Sequence, residues 1–264
     1  MPRRLRVLQI TDTHLCADEH AELGGVNTEW ACRQVIDLLA AEDLPADLLL
    51  VTGDIVHDSS AAAYLRLRRR LEQLRVPTLV IPGNHDQPTL MRDIFSSGAV
   101  RWQGHDVVGN WLVVMLDSTI PQQPGGHLSE AELERLEALL FRYPDHYALV
   151  CLHHHPQPMG SEWIDEIGVD NGEALFELLQ RHPQARAVLW GHVHQAYDAY
   201  RGHLRLLASP STCLQFTPKL PRFCVDVEAP GYRLLELDEQ GGLETSVRRL
   251  KELPQSLNMQ LSGY

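Results

Sequence analysis

Val80-Ile81-Pro82-Gly83-Asn84-His85-Asp86 is an apolar, strand-like run that breaks at a glycine and then presents an amide, an imidazole and a carboxylate side by side. Leu48-Leu49-Leu50-Val51-Thr52-Gly53-Asp54 and Ala187-Val188-Leu189-Trp190-Gly191-His192-Val193-His194 break in the same way. Leu8-Gln9-Ile10-Thr11-Asp12-Thr13-His14 and Leu149-Val150-Cys151-Leu152-His153-His154-His155-Pro156 do so without the glycine. A single Asp after a strand ordinarily caps the next helix. Five strands with ligand-type tips predict one shared site, because the carboxyl ends of strands in an open α/β sheet form the crevice where ligands bind.

Between these tips the chain alternates strand and helix. The spacing predicts a helix over 27–41 capped by Asn27 or Thr28, a second after Ser59-Ser60, a third opened by Gln87-Pro88, and a fourth from Ser129 to Phe141 with the Ser129/Glu132 pattern of a capping box. Strand, helix, strand is the signature of parallel βαβ units. After His194 the texture changes to short runs separated by turn residues, which read as antiparallel hairpins. The expected fold is therefore α/β: two packed mixed β-sheets flanked by helices, with a β-rich C-terminal part, in one domain over 1–264.

Composition narrows the function. The chain has 264 residues, 44% of them hydrophobic and 22% charged, the balance of an ordinary globular protein. No apolar run reaches the roughly 18 residues of a membrane span, and Met1-Pro2-Arg3-Arg4-Leu5 leads straight into a strand rather than a signal segment, so a cytoplasmic protein without a membrane partner is expected. Five cysteines, with no Cys-x-x-Cys pair, argue against a disulfide framework and a thiolate zinc site. Cys16 either lines the site or is simply a small buried side chain. A net charge of −12 repels long anionic polymers. The one dense basic run, Arg66-Leu67-Arg68-Arg69-Arg70, is expected on the solvated face of a helix whose apolar face is Leu65, Leu67, Leu71 and Leu74. A nucleic-acid polymer is thus not the expected partner.

Asp12, His14, Asp54, Asn84, one histidine of the 153–155 run, His192 and His194 offer oxygen and nitrogen donors without thiolates, a set suited to iron, manganese or zinc. Seven donors exceed the three protein ligands of a catalytic zinc. They suit two metals roughly 3.5–4 Å apart that share a carboxylate, the arrangement of two-metal phosphatases and nucleases.

Asp-x-His, Gly-Asp, Gly-Asn-His-Asp, a histidine run before proline and Gly-His-x-His, in this order over residues 12 to 194, resemble the calcineurin-like metallophosphoesterase family. Ser209-Pro210-Ser211-Thr212-Cys213 and Ala229-Pro230-Gly231-Tyr232 extend the resemblance toward its class III cyclic nucleotide phosphodiesterases and over nearly the whole chain. The resemblance implies that Asp12, His14 and His194 hold one metal, that Asn84, His153 and His192 hold the other, and that Asp54 bridges them, with iron and/or manganese as the ions. It also implies hydrolysis of 3′,5′-cyclic AMP to 5′-AMP by a hydroxide held between the metals, with substrate contacts from His14, Asp54, Asn84, His85 and His194. Other small phosphoesters, such as 2′,3′-cyclic nucleotides or glycerophosphodiesters, are the alternative substrates. A non-catalytic interaction protein is the alternative of another class. The oligomeric state stays open, a homodimer included. Many family members read His-His-Pro-Pro where this chain has His153-His154-His155-Pro156, so ungapped alignment selects His153 as ligand and alignment on Pro156 selects His154.

His85 is the expected catalytic acid. Its neighbour Asn84 is committed to metal, and an imidazole titrates in the range where a leaving oxygen needs a proton. Asp86 is left with the orientation of His85, and the spare histidines of the run with loop packing or support of the ligands. The segment 156–171 is expected to be a surface loop facing substrate, with Trp163 placed to stack on a base.

Overall fold

The computed structural model describes residues 4–102, 104–252, 257–261 and 263. The first three residues of the N-terminal stretch considered above lie outside them. The chain runs β1 (Leu5–Ile10), β2 (Glu22–Leu23), β3 (Val26–Asn27), α1 (Thr28–Glu42), β4 (Leu48–Thr52), α2 (Ala61–Gln73), β5 (Thr78–Ile81), α3 (Pro88–Ile94), β6 (Val100–Trp102), β7 (His105–Val108), β8 (Trp111–Met115) and α4 (Glu130–Arg142). It continues through β9 (Tyr147–Cys151), α5 (Glu162–Asp165), α6 (Gly172–Gln180), β10 (Ala185–Trp190), β11 (Tyr197–Arg201), β12 (Leu204–Ala208), β13 (Gln215–Phe216), β14 (Val225–Asp226), β15 (Gly231–Leu237) and β16 (Leu243–Arg249).

Two six-stranded mixed sheets result, in the orders β16-β15-β1-β4-β5-β6 and β11-β12-β10-β9-β8-β7. Alternation along the strands dictates how they pack. In β4, Leu48 and Leu50 face the other sheet while Leu49 and Val51 face α1 and α2; in β9, Leu149 and Cys151 face inward while Ala148 and Val150 face the helices of the second sheet. Each such Leu or Val, fully buried, contributes about 1.5–3 kcal/mol of transfer free energy. β1, β4 and β5 are parallel neighbours, as are β9 and β10, so in each sheet the ligand-bearing tips share one edge.

The C-terminal hairpins do not form a layer of their own. β11 pairs antiparallel with β12, but β12 runs parallel to β10 in the second sheet, whereas β15 and β16 extend the first sheet beside β1. The β-rich end therefore completes both sheets.

Local chemistry explains the helices. Asn27 is the cap of α1, its side chain accepting the Trp30 amide at 2.6 Å. Ser129 caps α4 by accepting the Glu132 amide at 3.2 Å, but Glu132 does not close the box. Its carboxylate accepts the Asp117 amide at 3.0 Å and pairs with Arg135 at 2.7 Å instead, so it ties the loop after β8 to the helix. The basic helix also departs from expectation. α2 buries Ala63, Tyr64, Leu67 and Leu71 while Leu65 is 39% exposed. Three of its arginines are engaged within the protein: Arg66 and Arg70 pair with Glu29, and Arg68 donates to the carbonyls of Ile94 and Ser97. These cations neutralise local acceptors and do not form a free basic stripe. Among the described residues, no helix is long and apolar enough to cross a membrane.

Candidate metal centre

The five tips meet across the seam between the sheets. The Gly191 amide donates to the His153 carbonyl at 3.1 Å, joining the tips of β10 and β9. Across the seam, the backbone amide of His192 donates to both oxygens of Asp12, at 3.1 and 3.0 Å; within the first sheet, the amides of Asp12 and His14 donate to the carbonyls of Gly53 and Asp54. Ser211 Oγ donates to the Asp12 carbonyl at 2.7 Å, closing the arrangement with a loop that follows β12.

This convergence strains the backbone. Nine non-glycine residues among those described have positive φ, and five of them are Asp12 (54°), His14 (44°), Asp54 (49°), His192 (66°) and His194 (47°). Left-handed conformations of this kind persist where surrounding structure over-determines them, and they concentrate at functional sites. Two of the glycines that break the strands are required by close approach. A Cβ on Gly53 would collide with the His153 ring and the Gly83 backbone, and one on Gly191 with Thr11 and the Asp12 carboxylate.

The side chains then form overlapping donor clusters. Asp12, His14 and His194 make one and Asp12, Asp54 and His153 another, each with donor atoms within 4.8 Å of one another. His153, His154 and His192 make a third. His14 Nε2 stands 3.3 Å from His194 Nε2, and His194 Nε2 stands 3.4 Å from Asp12. His153 Nε2 lies 3.2 Å from Asn84 Oδ1 and 3.4 Å from Asp54. Both His153 and His194 turn Nδ1 to a backbone carbonyl, of Thr52 and Leu214, each at 2.8 Å. A ring that donates from Nδ1 aims the Nε2 lone pair at the centre, the usual way a ligating histidine is held.

Charge and burial ask for cations. Asp12, Asp54, His14, His153, His192 and His194 are all buried, and the buried Nε2 of His192 has no hydrogen-bond partner among the described residues. Burial pushes His14 and His192 well below the usual imidazole range, which leaves them neutral, the ligating form. Burial would lower His153 and raise Asp54 too, but their mutual attraction outweighs it. His153 rises to about 9, and Asp54 is held well below the carboxylate range by His153, His85 and His14. A cation seated between them would take the proton's place. The residues present therefore fit a centre with nitrogen and oxygen donors and no thiolate.

All seven expected ligands are in this neighbourhood, and both candidates of the histidine run stand in it, His153 and His154 sharing a donor cluster with His192. His153 is the neighbour of Asp54 and Asn84, whereas His154 turns Nδ1 to Ser118 Oγ at 2.8 Å and His155 stacks on His192 at 5.5 Å with its Nε2 3.8 Å from Asp165. Asp86 is bound to the backbone of two tips. Its carboxylate accepts the amides of Gly83 (2.9 Å), Ile55 (3.1 Å) and Val56 (3.2 Å) and the Tyr64 hydroxyl (2.8 Å), so it organises backbone. Cys16 is half-buried and belongs to none of the donor clusters. His57 escaped the sequence reading: its ring stacks on His85 with centroids 4.9 Å apart, and only its place three residues after Asp54 hinted at this.

A cavity of about 190 Å³ opens on Asp54, Asn84, His85 and His192. Trp163 also lines it, from α5 inside the 156–171 segment expected to be loop. Of the expected substrate contacts, Asp54, Asn84 and His85 line this space, while His14 lies fully buried behind it and His194 borders a neighbouring cleft of about 470 Å³. A larger cavity of about 620 Å³, beside Arg92, Trp102 and Asp117, contains none of the donor clusters and is not the chemical site.

Comparison with known proteins agrees with this geometry. Residues 5–196 match the calcineurin-like phosphoesterase family, a span that contains every candidate ligand. The chain is 42% identical over 258 residues to the 3′,5′-cyclic adenosine monophosphate phosphodiesterase CpdA of Pseudomonas aeruginosa, covering 98% of this chain and 94% of the relative. It is 38% identical to the protein of the same name from Escherichia coli K12, covering 99% and 95%. In fold it is similar to a dimetal phosphatase from Danio rerio, with a TM-score of 0.63 at 16% identity over 93% of this chain and 98% of that one. With its tips, strained ligand turns and sheet order accounted for, the chain belongs to the calcineurin-like phosphoesterase family.

Proposed function

We propose that this chain is a metal-dependent phosphodiesterase that hydrolyses 3′,5′-cyclic AMP to 5′-AMP, the substrate named for its relatives at 42% and 38% identity. The observation that carries the reading is the packing of buried Asp12, His14, Asp54, His153, His192 and His194 into overlapping donor clusters. In this reading Asp12, His14 and His194 hold one ion, Asn84, His153 and His192 hold the other, and Asp54 lies between them. The 3.4 Å approach of His153 to Asp54 supports His153 as the ligand of the run. The thiolate-free donor set favours iron or manganese. When bound, two such ions neutralise the phosphoryl oxygens and make water acidic enough to attack near neutral pH.

The chain's own residues supply orientation and the proton. The His192 amide fixes both oxygens of Asp12, and the His85 amide fixes Asp54 Oδ1 at 2.9 Å, so the carboxylates keep their directions through turnover. His85 is partly exposed on the cavity wall beside Asp54 and Asn84. Its ring is the general acid, giving a proton to the 3′-oxygen as the P–O bond breaks. Asp54, Asn84 and His85 meet the substrate in the cavity, with His14 and His194 behind. Every residue named belongs to one chain, so the reading takes residues 1–264 as one catalytic unit and holds for a monomer and a homodimer alike. The substrate is a small diffusible cyclic nucleotide of the cytoplasm.

Purified protein supplied with iron and manganese and assayed against cyclic AMP, cyclic GMP, 2′,3′-cyclic AMP and a phosphomonoester tests the proposal. Cyclic AMP is the preferred substrate and 5′-AMP the product. Preference for 2′,3′-cyclic AMP or the monoester would replace the substrate and keep the centre.

A further inference from the structure

The cavity beside the metal centre is lined by two unlike sets of side chains. Asp54, Asn84 and His85 make it polar at one part; Trp163, Phe216 and Phe223 make it aromatic at another. The three rings hold one another edge to face, with centroids 5.1–5.2 Å apart and planes 65–77° apart. Phe216 in turn lies flat on the His194 ring, at 4.0 Å and 8°. The aromatic set is thus fastened to a candidate ligand, and its position relative to the reacting phosphate is fixed. A phosphate gains nothing from apolar rings. At about 190 Å³ the space is smaller than the roughly 300–1,000 Å³ that encloses a whole drug-sized ligand, so it encloses part of a molecule.

A second observation points to which part. Trp163 Nε1–H is buried and has no hydrogen-bond partner among the described residues, although buried donors are nearly always paired. A purine is flat and apolar on its faces, and presents ring-nitrogen acceptors along its edge. The glycerol or alkyl arm of another small diester offers no such combination. Resting on the cyclic nucleotide reading above, we infer that Trp163, Phe216 and Phe223 form the subsite for the nucleobase, with Trp163 Nε1–H donating to a ring nitrogen and the phenylalanine rings covering the apolar surface of the base. Trp163 then meets the base by its edge and not by stacking.

The test uses metal-loaded protein with cyclic AMP, its 1-, 3- and 7-deaza analogues, and the base-free ribose 3′,5′-cyclic phosphate. One deaza analogue loses about tenfold in kcat/KM on the wild-type protein, the size expected for one hydrogen bond. In Trp163→Phe, which keeps a ring but not the donor, that loss disappears, and the preference for cyclic AMP over the base-free compound falls about tenfold. Phe223→Ala lowers the same preference while leaving the deaza discrimination in place. Equal use of all three deaza analogues by the wild-type protein, or an equal loss of cyclic AMP and base-free hydrolysis in Trp163→Phe, would overturn the inference. If the wild-type protein hydrolyses an activated aryl diester but not cyclic AMP, the parent reading fails, and adenosine binding tests the subsite alone. Affinity that depends on Trp163 supports it, and affinity indifferent to Trp163→Phe overturns it.

Discussion

Tyr64 and Asp86 form a buried hydrogen bond of 2.8 Å, hydroxyl to carboxylate, between helix α2 and the turn that carries Asn84 and His85. The same carboxylate accepts the amides of Gly83, Ile55 and Val56, so it locks the turn after β5 onto the turn that carries Asp54. Two tips of the metal centre are held in register by one side chain that touches neither candidate ion.

Tyr64→Phe removes the buried donor to Asp86 and leaves the Gln87 amide, which donates to the Tyr64 hydroxyl at 3.0 Å, without its acceptor, and should cost about 1–3 kcal/mol of stability by urea unfolding. Asp86→Ala leaves three buried amides unpaired. It should cost more, and should weaken metal retention by roughly 10–100-fold, the range seen when groups that orient ligands are removed. Unaltered metal retention in a folded Asp86→Ala protein would show that the two turns hold their register without it.

His85→Ala should keep its full metal content and lose roughly 10²–10⁴-fold in turnover of cyclic AMP, the range for loss of a general acid. The loss should shrink on an activated aryl diester, whose leaving group departs without a proton. Equal loss on both substrates, or loss of a metal, would reassign His85 to charge stabilisation or to metal organisation.

Burial sets the order of thiol labelling. It pushes Cys32 up to about 12 and raises Cys151 and Cys213 as well, so almost no thiolate, the reactive form, exists at these positions at pH 8. Cys16 is raised by partial burial and by Asp58. Cys16 and Cys224, both half-buried, should label in native protein, with the remaining three reacting only in denaturant. Mass spectrometry of the labelled native protein checks the order.

The strands, their tips and the candidate ligands were legible because each is local: an apolar run, a break, then donor side chains. Even the strain has a local trace in Gly53 and Gly191, where the chain has no room for a Cβ. What stayed illegible depends on partners distant in sequence. Nothing near Asp86 says that its donors come from Tyr64, 22 residues away, and Ile55, 31 away. Glu132 obeys the capping-box spacing yet bonds the Asp117 amide, a nearer demand once the fold has formed. The basic run on α2 looks solvated until Glu29 of α1 is brought beside Arg66 and Arg70. His57 follows the second tip like any loop residue, and only the convergence of tips sets it against His85.

The most direct test of the central claim is elemental analysis of active protein, paired with cyclic AMP hydrolysis during chelation and reconstitution. Overlapping clusters built on Asp12, His14, Asp54, His153, His192 and His194 predict two ions per chain, activity that disappears as they are removed, and recovery only when both return. Asp54→Ala should lose an ion as well as turnover. Fully active protein with one ion per chain, or hydrolysis that persists in metal-free protein, would contradict the account.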